Sequence, residues 1–285
     1  MMKISRPTAW MGLLSVALVL GVTGWHFRHS IQSEYLKANL PKVLPQAKGT
    51  IRFAVIGDYG SGNHIERDVA QMIESWQPDF VTTLGDNNYE IGEAETIDRN
   101  IGQFFHAYIS PYKGQYGAGA ATNRFHPIVG HRDWDSPQGL QPYLDYFTLP
   151  GNERYYDFVR GPVHFFMLDT DEREPDGATA TSIQGRWLER KLAESQAPWK
   201  LVYAHHAPYS SARVPGFPHM RWPFKAWGAD AVLSGFYHVY ERLEVGARVS
   251  TAMALPESGV EAGQGGEVTR LSAKTVTIKF ENGSR

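Results

Sequence analysis

Hydrophobic and polar positions change rhythm near Thr50, and the change marks where the folded part begins. Ile51 to Ile56 (IRFAVI) is an apolar, β-branched run ending at Gly57, the signature of a buried strand. Ile65, Val69, Met72, Ile73 and Trp76 then recur at helical spacing, and Asp79 to Leu84 (DFVTTL) forms a second apolar run ending at Gly85. Strand, helix, strand is the βαβ opening of an α/β sheet protein. Further strand-like runs are Phe125–Val129, Val163–Asp169, Trp199–Ala204, Asp230–Ser234 and Thr275–Phe280, with a helix over Ile183–Glu194 whose start carries Thr181 and Gln184 at capping-box spacing. Lys113–Thr122 (KGQYGAGAAT) is Gly/Ala-rich and reads as a mobile loop, and Glu244–Thr269 as a polar stretch without pattern.

Upstream the rhythm is different. Lys3 and Arg6 precede an uncharged apolar run from Thr8 to Trp25, which predicts an export signal, an uncleaved anchor or a cleaved signal peptide over residues 1–27. Lys3 and Arg6 would stay cytoplasmic, placing the remainder on the periplasmic or extracellular face, anchored by residues 8–25. Residues 28–49, with Pro41 and Pro45, read as a tether, and 50–285 as one domain. Composition narrows the chemistry further. The 285 residues carry a net charge of -2, so no basic stripe for nucleic acid is expected, and Cys is 0, so any metal must sit on oxygen and imidazole.

The polar residues that interrupt this pattern fall at one kind of place. Asp58 follows IRFAVIG, Asp86 follows DFVTTLG, His131 follows HPIVG, His205 follows KLVYA, and His238 comes shortly after DAVLSG. Each alone is an ordinary turn residue. Together they line the C-terminal edge of the predicted sheet, where open α/β proteins build their sites.

With Gly57-Asp58-Tyr59-Gly60, Gly85-Asp86-Asn87-Asn88-Tyr89, Val129-Gly-His-Arg-Asp-Trp-Asp135, Ala204-His205-His206 and Gly235-Phe236-Tyr237-His238 in this order, the chain resembles the calcineurin-like metallophosphoesterases, in particular their purple acid phosphatase-like branch. The resemblance spans roughly Ile51 to Leu243. It implies two packed mixed β-sheets flanked by helices, a dinuclear metal centre of ferric iron plus a divalent ion (Fe, Zn or Mn), and hydrolysis of phosphomonoesters by a metal-activated water. It also implies a first metal on Asp58, Asp86, Tyr89 and His238, a complete set, and a second on Asp86, His131 and His205. The second set is depleted: His131 stands where the family carries Asn, and Phe236, where it carries a His, binds no metal.

Arg132 replaces a substrate-contacting His of the family pattern. A guanidinium keeps its proton but grips phosphate oxygens in pairs. Asn87 is expected to touch phosphate or orient Asp86, and His206 and His219 are possible substrate or supporting groups; Val214 stands where some relatives carry another His. The reading is an exported phosphatase acting on a phosphate ester, with a non-catalytic binder of phosphate or a single metal ion and a phosphodiesterase as alternatives.

Overall fold

In the computed structural model, described over residues 51–212, 215–245 and 248–252, two sheets lie face to face. The first is parallel, with order β1 (Phe53–Ile56), β2 (Phe80–Thr83), β3 (Phe125–His126). The second has order β4-β5-β6-β7-β9-β8, built from β4 (Tyr156–Arg160), β5 (Val163–Met167), β6 (Trp199–Ala204), β7 (Ala231–Ser234), β8 (Glu241–Val245) and β9 (Arg248–Ala252). Parallel β5-β6-β7-β9 are closed by antiparallel strands at both edges, β4 on β5 and β8 on β9. The second sheet is therefore mixed, and helices flank the pair, in agreement with the expected fold class.

Side-chain alternation explains the layering. Phe165 on β5 is fully buried and meets Phe53, Phe80 and Phe158 at centroid distances of 5.2, 5.4 and 4.8 Å, so one face of the second sheet packs on the first. The Thr82 hydroxyl also bonds the Tyr203 hydroxyl at 3.3 Å across that interface. The next residues along the strands, Phe166, Leu168, Val202 and Ala204, point the other way and pack with Leu188, Leu192, Met220 and Trp222. Buried on both faces, β5 and β6 need continuous apolar runs, which is why their sequences show no alternation.

α1 (His64–Trp76) starts at Asn63, whose side chain accepts from the main-chain N–H of Ile65 and Glu66, and ends at Gln77 in the left-handed region. Helical turns over Ala94–Tyr108 lead to the Lys113–Thr122 loop. That loop is tied down rather than loose: Asp98 accepts from the Tyr112 and Tyr146 hydroxyls and from the Gln115 N–H, and the Ala120 N–H donates to the Ile109 carbonyl. α2 (Ile183–Glu194) has its predicted bounds but a different cap: Ser182 accepts from the Gly185 N–H, while Gln184 is buried and bridges the main-chain N–H and carbonyl of Asp169. β4, whose burial fades from Tyr156 to an exposed Arg160, and the β8–β9 hairpin reaching into the stretch after Glu244 are strands that the apolar-run criterion passes over. Arg213, Val214, the apolar run at 8–25, the Thr275–Phe280 run and the C-terminal unit Pro256–Arg285 lie outside the described residues. Among the described residues no helix is long and apolar enough to cross a membrane.

Candidate metal centre

The loops after β1, β2, β3, β6 and β7 bring the five strand-end residues to one edge. Their backbones are held in unusual conformations: Asp58, Asp86, Phe236 and His238 all have positive φ, at 53°, 51°, 76° and 51°. Each such residue costs on the order of 1–3 kcal/mol and persists only where its surroundings fix it. The motif glycines allow the close approach. A Cβ on Gly60 would collide with the Asn87 carbonyl, and one on Gly130 with the Asp86 main-chain N and carboxylate.

At the centre, His131 Nδ1 lies 3.2 Å from Asp86 Oδ2, His205 Nε2 lies 3.3 Å from Asp86 Oδ1, and the two imidazole nitrogens are 3.1 Å apart. Among the described residues these three form the group of histidine and carboxylate donors able to hold an ion, with their ligand atoms within 4.8 Å of one another. His205 Nδ1 is 2.7 Å from the Leu84 carbonyl, which can only accept, so Nδ1 carries the hydrogen and Nε2 of the neutral ring presents a bare lone pair. The one hydrogen of a neutral His131 cannot serve both Asp86 and His205. A cation resolves this, and the spacing suits one: ligands at about 2.0–2.2 Å from a first-row ion stand about 3–3.5 Å from each other.

The electrostatics agree. Burial alone would raise the pKa of Asp86, yet His205, His131 and the Arg132 N–H hold it far below the usual carboxylate range. Burial opposes protonation of His205, but the Asp86 and Asp58 carboxylates outweigh it and raise its pKa. Positive charge is favoured at this point.

The other predicted ligands stand in two pairs. Asp58 Oδ1 is 3.4 Å from His238 Nε2, and the Asp58 carboxylate accepts from the Phe236 N–H at 3.1 and 3.3 Å. The buried Tyr89 hydroxyl donates to Asp86 Oδ2 at 3.2 Å. The ligand set that the sequence makes depleted is thus the one whose donors close on a common point, because His131 turns in beside His205. Phe236 lies against these rings, at 5.3 Å from His131 and 5.6 Å from His205.

Of the residues expected to touch substrate, Asn87 is placed otherwise. It is fully buried: Nδ2 donates to the Ile128 carbonyl and to Asp133 Oδ2, both at 2.8 Å, and Oδ1 accepts from Thr83 and Tyr59. Its hydrogen-bonding capacity is used in fastening the Asp86 loop to the His131 loop, so it positions ligands and has no group left for phosphate. His206 is buried with Nδ1 2.9 Å from the Thr170 hydroxyl, and burial together with its histidine neighbours pushes its pKa down to about 2. Arg132 donates its main-chain N–H to Asp86 Oδ1, and its partly exposed guanidinium lies 6.0 Å above the Tyr89 ring with Nε unpartnered among the described residues.

Asp133 and Arg173 were not anticipated. Asp133 accepts from the Asn87 and Gly130 N–H groups as well as the Asn87 side chain, and burial, with Asp86 nearby, pushes its pKa up to about 7. Arg173 grips Asp171 and Asp135 and donates to the His131 carbonyl at 3.0 Å. Asp133 sits inside VGHRDWD, two residues from a ligand; Arg173 has no local signal.

Comparison with known proteins places this geometry. The profile of the calcineurin-like phosphoesterases matches residues 25–240. An acid phosphatase of Aspergillus ficuum is 36% identical over 134 residues, 44% of this chain and 21% of that protein. Purple acid phosphatase 4 of Arabidopsis thaliana is 26% identical over 220 residues, 64% of this chain and 59% of that one. The chain thus spans less than two thirds of the length of either relative. Among solved structures, GAP50, the anchor in the inner membrane complex of Plasmodium, superposes with a TM-score of 0.51 at 18% identity over 72% of this chain and 71% of that one, which shows a shared fold. The chain belongs to the calcineurin-like phosphoesterase family, on its purple acid phosphatase-like branch.

Proposed function

We propose that the chain is a metal-dependent phosphatase acting on phosphomonoesters at the Asp86–His131–His205 centre. The observation that supports this most is the convergence of those three donors within 4.8 Å of one another at the strand ends. Asp58, Tyr89 and His238, with Asp86 shared, are assigned to the adjoining first ion, with ferric iron there and iron, zinc or manganese as the divalent partner that carboxylate and imidazole suit. When bound, such ions polarise phosphoryl oxygens and bring the pKa of a water they hold from ~15.7 toward ~7.

The chain's own residues do the rest. Arg132, whose partly exposed guanidinium lies 3.5 Å from Asp135, binds phosphate oxygens and balances their charge, and it gives up no proton. Asn87 and Asp133 hold the Asp86 and His131 loops in register, and Thr170 orients His206 beside the centre. Export, a membrane tether at residues 8–25, and the partition into 1–27, 28–49 and 50–285 belong to the same proposal, supported by Lys3, Arg6 and the apolar run.

One observation favours a second reading, a non-catalytic binder of phosphate or of a single metal ion: Phe236 occupies a ligand position and carries no donor. Full-length protein loaded with iron plus zinc or manganese separates the two, assayed with an aryl phosphomonoester beside the matching diester. The phosphatase reading expects monoester turnover that Asp86→Asn abolishes. Metal-loaded, folded protein without turnover overturns it, and faster diester hydrolysis moves the assignment to a phosphodiesterase.

A further inference from the structure

Phe236 stands out as a large apolar side chain set among metal-site histidines. Its ring is 5.3 Å from His131, 5.6 Å from His205 and 5.3 Å from His206. It does not stand alone. Phe217 meets it edge-on at 4.7 Å and 88°, and Tyr237 at 5.2 Å and 75°. Phe217 and Tyr237 are themselves 5.9 Å apart, so the three rings form one mutually braced cluster that runs outward from the metal-site imidazoles. All three are half-buried, leaving ring surface open.

The position of Phe236 is imposed. Its φ of 76° is rare for a residue with a Cβ, and its N–H donates to both oxygens of Asp58. The backbone of Phe236, in the same loop that carries His238, is therefore tied to Asp58, and the ring is braced there by Phe217 and Tyr237. A ring held there at conformational cost, with an apolar face where a donor would serve an ion, is suited to a different partner.

We infer that Phe236, Phe217 and Tyr237 form an aromatic wall that selects phosphate esters whose alcohol carries an aromatic ring. The inference rests on the phosphatase reading above and names its substrate class. A phosphate held at Asp86, His131 and His205 would be flanked by Phe236, whose ring is 5.3 Å from His131 and 5.6 Å from His205, so a substituent on its ester oxygen can reach the wall. There an aromatic group makes edge and offset contacts, while a polyol or sugar would lose water without gaining hydrogen bonds.

The test needs two alcohols of similar acidity, so that bond cleavage itself does not discriminate. 2-Phenylethyl phosphate and butyl phosphate serve for hydrolysis, and the corresponding phosphonates, which cannot be cleaved, serve for binding by calorimetry to the full-length, metal-loaded protein. The wall predicts about a tenfold preference for the phenyl compound in both kcat/KM and Kd. Phe217→Leu and Phe236→Leu, which keep apolar bulk but remove the ring, should each reduce it to about twofold. Equal handling of the two compounds by the unaltered protein, or a preference that survives both substitutions, overturns the wall. Absence of turnover with both esters defeats the phosphatase reading instead, and the phosphonate titrations still decide the wall: selective binding upholds it, and no selectivity or no binding rejects it.

Discussion

Two clusters in this molecule place histidine against carboxylate, at 2.8 Å in one and 3.2–3.3 Å in the other, and they differ in whether every lone pair meets a partner. In the second sheet, His164 Nε2 lies 2.8 Å from Asp157 Oδ2, its Nδ1 2.9 Å from the Ser195 hydroxyl, and Lys191 Nζ 3.1 Å from Asp157 Oδ1. Each ring nitrogen has its own partner and the carboxylate has a cation, so the cluster is closed as it stands. At the strand ends, Asp86, His131 and His205 stand 3.1–3.3 Å apart, and the Leu84 carbonyl takes the His205 Nδ1 hydrogen. A Ser–His–Asp chain of this kind resembles a catalytic triad on paper, yet its hydrogens are all accounted for and Ser195 caps a helix C-terminus, the end that disfavours developing negative charge. Hydrogen inventory, rather than proximity, separates a structural cluster from one that awaits an ion.

The largest effect that tests this contrast comes from the two carboxylates. Asp86→Asn should lower turnover by on the order of 10²–10³ or more and remove bound metal from the purified protein. Asp157→Asn should leave metal content unchanged and turnover within about twofold, since it alters only a hydrogen-bonded structural pair. Metal analysis of the two variants, beside their rates, decides the matter: loss of metal in Asp157→Asn would remove the distinction.

A third imidazole sharpens it from the opposite side. His126 on β3 is buried between the sheets, stacked on Phe158 at 4.0 Å, with neither ring nitrogen partnered among the described residues. Burial, with a smaller contribution from Arg160, pushes its pKa down to about 3. The folded protein therefore keeps this ring neutral where the unfolded chain takes up a proton. Its contribution is fully present above about pH 6.5 and is lost as pH falls toward 3, by about 1.4 kcal/mol per pH unit. His126→Phe should flatten that stretch of the stability profile, read as denaturant midpoints at pH 7, 6 and 5. A parallel decline in the variant would show that His126 is not its source.

How much of this was legible beforehand follows the physics of each signal. β5, β6 and β7 were visible because buried parallel strands must be apolar throughout, whereas β4 was not: Tyr156, Asp157 and Arg160 mix polar and apolar positions because an edge strand is half exposed. The ligands were visible because they sit at strand ends inside short motifs. What the motifs could not convey was geometry. Asn87 reads equally well as a phosphate contact or as a clamp, and only its four buried partners decide; Gln184 fits a capping box but serves Asp169 instead. Nothing in the spelling of VGHRDWD indicates that His131 turns toward His205.

The smallest expected effect concerns Ser195. Ser195→Ala leaves one nitrogen of the mostly buried His164 without its partner, at a cost of about 1 kcal/mol and with no change in bound metal. The same cluster has its own pH signature. The His164 hydrogen bond, with Lys191 behind it, lowers the pKa of Asp157 against the opposing pull of burial. A carboxylate lowered in the folded state stabilises fully above its unfolded pKa of about 3.9 and loses that contribution as pH falls through the folded value. Asp157→Asn should thus abolish a decline confined to pH below about 4, beneath the pH 5–7 readings that report on His126. If Ser195→Ala instead changed metal content, the His164 cluster would be coupled to the strand-end site through β5, and the two regions would be one functional unit rather than two.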